Sequence, residues 1–207
     1  MPSPDIPSQN DPRAEAPLAA VALIRTTGAD PEFLLLRRAV NLEDPWSGHF
    51  ALPGGRREQG DRDLLETCIR ETREECGLVL KAEQLVLSLP WAHAGTATNH
   101  PTLVAPFLFE IPGKPFLSLA SLEISEFHWL PLSYLRDPGN HARQTMSQRH
   151  PQVHFPCIRV GTGAIWGFTY GVLLTCGVLR DSGVLRDDGV LRDDGERHPF
   201  PPPPDGT

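Results

Sequence analysis

An α/β fold, with helices on the faces of a mixed sheet, is predicted by the order of the apolar segments in this 207-residue chain. Three observations predict it. Short apolar, β-rich runs occur both before and after a helix-patterned segment at residues 62–76. That segment repeats its apolar residues at helical rather than alternating spacing. A second helical pattern closes the folded region at about 164–179. Strands on both sides of a central helix leave it, and the helix near the end, to cover the sheet.

Taken in order, Leu18–Arg25 and Phe33–Val40 are the first two strands, and the Thr-Thr-Gly-Ala-Asp-Pro turn between them predicts a hairpin. The central helix at 62–76 has Leu65, Cys68, Ile69, Thr72 and Cys76 along one stripe, so one side of it is expected to be buried. Asp61 or Asp63 caps its start, and Gly77 stands where a left-handed residue ends a helix. Further strands are expected at Leu85–Trp91, Leu103–Ile111, Glu126–Leu130 and Val153–Val160, with a short helix after Pro131. The uncharged stretch Val160–Leu179 is long enough to raise a membrane span, but its glycines and threonines favour a buried helix.

The ends differ from this middle. Proline accounts for 22 residues, and ten of them lie in residues 2–17 and 199–204. Residues 1–17 have almost no large apolar side chains with which to offset ordering entropy, and read as a disordered tail. The segment GVLRDSGVLRDDGVLRDDG is a hexapeptide repeat too short for a β-helix and too poor in oxygen ligands for calcium loops. The expected organisation is therefore a tail at 1–17, a domain at 18–180, and a low-complexity, proline-rich tail at 181–207.

A net charge of −7 removes the general reason to expect nucleic acid as a partner, although a local site can still hold a small phosphorylated ligand. The four cysteines form no C-x-x-C pair and read as reduced thiols. The amino end has neither the basic nor the apolar region of a secretory signal. A cytoplasmic protein without a membrane segment is the expectation.

Chemistry concentrates in Leu52-Pro-Gly-Gly-Arg56 and the helix that follows. Pro53-Gly54-Gly55 lets backbone groups approach a metal or a phosphate. Glu71, Glu74 and Glu75 share one helix flank, where their mutual repulsion would be relieved by a hard divalent cation, Mg²⁺ or Mn²⁺. On their own they read equally as a solvated flank paired with Arg70 and Arg73. The combination decides the matter, because Arg70-Glu71, then Glu74-Glu75, then Gly77, following the Pro-Gly-Gly loop, resembles the signature of the Nudix hydrolases. Five such fixed residues recur by chance about once per million windows. Asp61 stands where the family usually has Glu, and eight residues separate it from Arg70 instead of seven. A coenzyme A pyrophosphatase-like subgroup shares both features, and the resemblance also covers Leu34–Ala39 and the turn Ile165-Trp166-Gly167-Phe168-Thr169. This chain departs from the subgroup at Glu43, where arginine is expected, at Leu52 in place of Phe, and in lacking the subgroup's histidine in the Asp44–Gly48 stretch.

The resemblance implies the Nudix fold, an α/β/α sandwich around a mixed sheet, and hydrolysis of a diphosphate linkage. It implies Glu71, Glu74, Glu75 and the Gly55 carbonyl as holders of Mg²⁺ or Mn²⁺, with Arg70 orienting the glutamates, and a homodimer as the oligomer to test. Arg38, Gly54, Gly55 and Arg56 are the expected substrate contacts, and Glu110, Glu123 and Glu126 stand unranked as a further acid. The implied substrate is coenzyme A or an acyl derivative. The alternatives are ADP-ribose, NADH, a damaged nucleoside triphosphate, or a nucleotide-binding module without activity. His49, His93 and His100 read as turn or surface histidines, and Trp46 and Trp91 as packing residues that could otherwise stack on adenine.

Overall fold

A computed structural model describes residues 16–41, 47–95, 101–119, 122–145 and 154–179. Both expected tails, apart from Ala16 and Pro17, lie outside the described residues, as do Glu43, Trp46 and His100.

The centre is a parallel pair, β1 (Ala19–Thr26) and β7 (Thr102–Ile111), in continuous register from Ala19 opposite Val104 to Thr26 opposite Ile111. Around it the pairing is antiparallel. β2 (Glu32–Arg38) pairs with β1, and β3 (Phe50–Ala51) and β8 (Ile124–Pro131) both pair with β2. β4 (Gly54–Arg56) lies against β1, whereas β5 (Leu85–Ser88) and β6 (Ala92–Ala94) lie against β7. The sheet is thus mixed, as expected.

Alternate side chains of β1 and β2 enter two separate cores, so the sheet is covered on both faces. Ala20, Ala22, Ile24, Leu34 and Leu36 face α1 (Leu64–Cys76), together with Leu78, Phe109 and Leu117. Leu23, Phe33 and Leu35 face the opposite layer. That layer contains α2 (Leu132–Arg136), α3 (Gly167–Thr175) and a small antiparallel sheet of β9 (His141–Gln144), β10 (Phe155–Val160) and β11 (Gly163–Trp166). The three layers form the expected α/β/α sandwich.

The α1 contact is made of small side chains on both partners: Ala20 and Ala22 on the sheet, Cys68, Thr72 and Cys76 on the helix, all but fully buried. Small residues let the two backbones approach closely at native packing density, which carries the helix's glutamates onto β4. The inward stripe differs slightly from the wheel: Thr67 is fully buried, while Leu65 and Ile69 are only half-buried. Asp63 caps the helix by accepting from the Glu66 amide, and Gly77 ends it at φ 72°.

Two expectations are corrected. Residues 164–166, predicted as helix, pair with β10 as part of a strand, and the helix begins only at Gly167. The strand expected at Leu85–Trp91 stops at Ser88, ahead of Pro90, which has no amide to give a ladder, and β6 follows as a separate strand. All four cysteines are free thiols. Among the described residues no helix is long and apolar enough to cross a membrane.

Candidate active site

Gly54 and Gly55 pair with Val21 and Ala20 at the start of the central strand, so the loop is hydrogen-bonded onto the middle of the sheet. A Cβ on Gly54, at φ 150°, would run into the Ala20 carbonyl oxygen and come 2.6 Å from Val21 Cα. A Cβ on Gly55 would lie 2.5 Å from both Cδ and Oε1 of Glu71. The Glu71 carboxylate therefore packs directly on the Gly55 backbone. The Gly54 amide donates to Glu75 Oε2 at 3.0 Å. The loop and the helix flank are thus in direct contact.

The carboxylates are not equivalent. Glu71 and Glu75 turn toward the loop, and burial raises both; Glu75, which accepts from the Gly54 amide, is pushed up to about 7. The negative charge of Glu71 adds to that rise and Arg38 opposes it. Glu74 is half exposed and accepts from Arg70 Nη1 at 3.0 Å, so it lies outside the loop contact.

Arg70 is the hub of the charge network. Its Nε and Nη2 donate to the two oxygens of Asp61, each at 3.0 Å, while Nη1 reaches Glu71 and Glu74 and Nη2 also reaches the Arg56 carbonyl. Asp61 is not the helix cap but a buried anchor, which also accepts from Thr67 Oγ1 and the Glu58 amide. The Arg70 pair holds its carboxyl well below the usual range. Arg70 thus fixes two glutamates while itself fixed by Asp61.

Among the described residues no three His, Cys, Asp or Glu side chains converge as a ready metal cluster. The donors present nonetheless suit a hard divalent cation. Two adjoining carboxylates pack against a glycine backbone where a Cβ would displace Glu71, and burial raises both although Arg70 pairs with Glu71 and the Gly54 amide donates to Glu75.

Arg38 and Arg56 border a pocket of about 340 Å³ that also includes His49, Trp166 and Phe168. Arg56 is exposed and directly follows Gly55, and Arg38 ends β2 within 4.0 Å of Glu123. Of the three unranked acids, Glu123 is the one whose charge acts on Glu75, whereas Glu110 and Glu126 pair with Arg25 and Arg37. His93 sits on β6 and Trp91 just before it, neither on the pocket wall. Sequence reasoning missed Trp166 and Phe168 as pocket residues. Their one signal was the resemblance of the turn that carries them.

A family model for the NUDIX domain matches residues 16–150. Uncharacterized protein C14C4.10c of Schizosaccharomyces pombe is 34% identical over 117 residues, which cover 52% of this chain and 34% of that protein. The human mitochondrial coenzyme A diphosphatase NUDT8 is 30% identical over 143 residues, covering 67% of this chain and 58% of that protein. The chain thus matches only about a third to somewhat over half of the length of these relatives. A crystal structure of a MutT/nudix family protein from Enterococcus faecalis shares the fold, with a TM-score of 0.50 and 21% identity over 76% of this chain and 57% of that one.

Proposed function

This chain belongs to the NUDIX domain family, and from that premise we propose that it hydrolyses the diphosphate linkage of a nucleoside-diphosphate derivative with Mg²⁺ or Mn²⁺. The single observation that carries the proposal is the seating of Glu71 on the Gly55 backbone with Glu75 tied to the Gly54 amide. An ordinary solvated flank has no reason to place its carboxylates there.

Glu71 and Glu75, with the Gly55 carbonyl, would hold the cation, and Glu74 would join them from its place on Arg70. A bound divalent cation neutralises phosphate oxygens and lowers the cost of the charge that develops on them. The rest falls to the protein. Arg70 holds Glu71 and Glu74 in one orientation, so neither has to be ordered when substrate arrives. Arg56 and Arg38 bind the diphosphate, their guanidinium forks matching its oxygens. In the net reaction the oxygen of water forms a bond to one phosphorus, the bridging P–O bond breaks, and the proton released passes to solvent.

Coenzyme A or an acyl-coenzyme A is the leading substrate, split to 3′,5′-ADP and the corresponding 4′-phosphopantetheine. The human relative's activity and the Asp61 spacing support it. A second reading is favoured by Glu43, an anion where the coenzyme A subgroup has arginine: a nucleotide without a 3′-phosphate, such as ADP-ribose, would not be repelled there. Glu75→Gln tests the shared mechanism. Turnover should vanish while circular dichroism stays native, and unchanged turnover would remove Glu75 from the metal site.

A further inference from the structure

We propose that the pocket beside Arg38 and Arg56 is a nucleobase subsite, in which Trp166 and Phe168 at the head of α3 select substrates that carry a base. The proposal rests on the reading of the chain as a nucleotide diphosphate hydrolase and says which end of the substrate lies where.

The pocket, at about 340 Å³, is within the range of roughly 300–1,000 Å³ that small-ligand sites occupy. Trp166, Phe168, Phe50 and Ala94 make an apolar and aromatic wall, and among the described residues no carboxylate lines it. The two arginines on the wall tie it to the glutamate site: Arg56 follows Gly55 in the chain, and Arg38 acts electrostatically on Glu75. A ligand with its phosphates on these cations therefore has its next group at the aromatic wall. A base is flat, with a π-face on either side, and stacks on such rings.

The wall is fixed before any ligand arrives. The His49 ring meets Trp166 edge-on, 5.0 Å between centroids at 77°, and Phe155 packs against the same indole at 5.7 Å. Thr169 Oγ1 donates to the Phe50 carbonyl at 3.1 Å, which locks the first turn of α3 to β3. A rigid planar ring entering a rigid slot loses little entropy, whereas a flexible pantetheine arm would lose more. The pocket therefore suits the base end of the substrate over the pantetheine end.

The test uses the full wild-type chain without divalent metal, with AMP, ribose 5-phosphate and 4′-phosphopantetheine as probes in calorimetric titration. AMP should bind about ten-fold or more tightly than ribose 5-phosphate, the advantage that stacking one base supplies. Trp166→Leu should erase that advantage and leave ribose 5-phosphate within about two-fold. Hydrogen exchange on the wild type locates the site independently of any variant: AMP should protect residues 163–175. Equal binding of AMP and ribose 5-phosphate, protection elsewhere, or loss of 4′-phosphopantetheine binding alone in Trp166→Leu would each overturn the proposal. Base-selective binding in a chain that hydrolyses nothing would sustain the subsite while removing the hydrolase reading. Hydrolysis without any base preference would do the reverse.

Discussion

Gly55→Ala isolates the active-site geometry from the stability of the fold. The added Cβ would sit 2.5 Å from Cδ and Oε1 of Glu71 and 2.7 Å from Oε2. Carbon atoms in contact prefer about 3.5 Å or more, so the carboxylate must retreat by roughly 1 Å. The backbone at position 55 is not left-handed, and what must move is the end of a side chain, so the fold loses on the order of 1 kcal/mol or less, about 2–4 °C in Tm. The chemistry suffers more, since a misplacement of ~1 Å costs on the order of 100-fold in rate. The assay pairs Mn²⁺ affinity, by electron paramagnetic resonance, with turnover of whichever diphosphate substrate is cleaved. Gly54→Ala is the contrast. Its Cβ meets the backbone of the central strand, which cannot retreat, so a loss of about 3 kcal/mol, roughly 10 °C, is expected in Tm itself. Native Mn²⁺ affinity and turnover in Gly55→Ala would refute the reasoning.

Other outcomes follow from the charge network. The raised carboxyl of Glu75, about 7 against an ordinary 4.5, favours its protonated form. Its contribution to stability is present below the ordinary value and lost as pH rises through about 7, a penalty of at most about 3 kcal/mol. Metal-free Glu75→Gln should therefore melt higher than wild type at pH 8 and equal it at pH 4, with Mg²⁺ narrowing the gap at pH 8; an identical difference at both pH values would exclude the effect. Asp61→Asn leaves Arg70 without its buried partner and should cost about 3 kcal/mol, or roughly 10 °C, in a thermal melt at pH 7. Because Arg70 depresses the Asp61 carboxyl, that difference should be present above the ordinary value of 3.8 and shrink as pH falls below it. Deleting residues 181–207 should leave melting and turnover unchanged, and a large loss in either would assign the hexapeptide tail a role.

What the sequence disclosed was what depends on local pattern. The span of α1 follows from helical periodicity with Asp63 and Gly77 at its ends, and the contact of Gly54 and Gly55 with Glu75 and Glu71 follows from a loop that leads into that helix. What it hid depends on long-range contact. Asp61 looked equivalent to Asp63 as a cap, because its partner Arg70 is reached only after the helix has formed. Glu74 looked equivalent to its neighbours, because a helix wheel does not tell the sheet side of a flank from the side that Arg70 pulls outward. Strand β11 was concealed in an uncharged stretch that suits a buried helix and a buried strand alike. Trp166 and Phe168 carry no titratable group, and the long-range packing of β11 and α3 on β3 brings them to the arginines.

The measurement that bears most directly on the central claim is a mass-spectrometric product assay in H₂¹⁸O. The purified chain is incubated with Mg²⁺ or Mn²⁺ and, in parallel, coenzyme A, ADP-ribose, NADH and nucleoside triphosphates. The account predicts cleavage of a diphosphate linkage that stops with chelator, with ¹⁸O in one phosphoryl product, and with 3′,5′-ADP released from coenzyme A as the leading case. Products that form equally in the presence of chelator, or no product from any of these substrates, would contradict it.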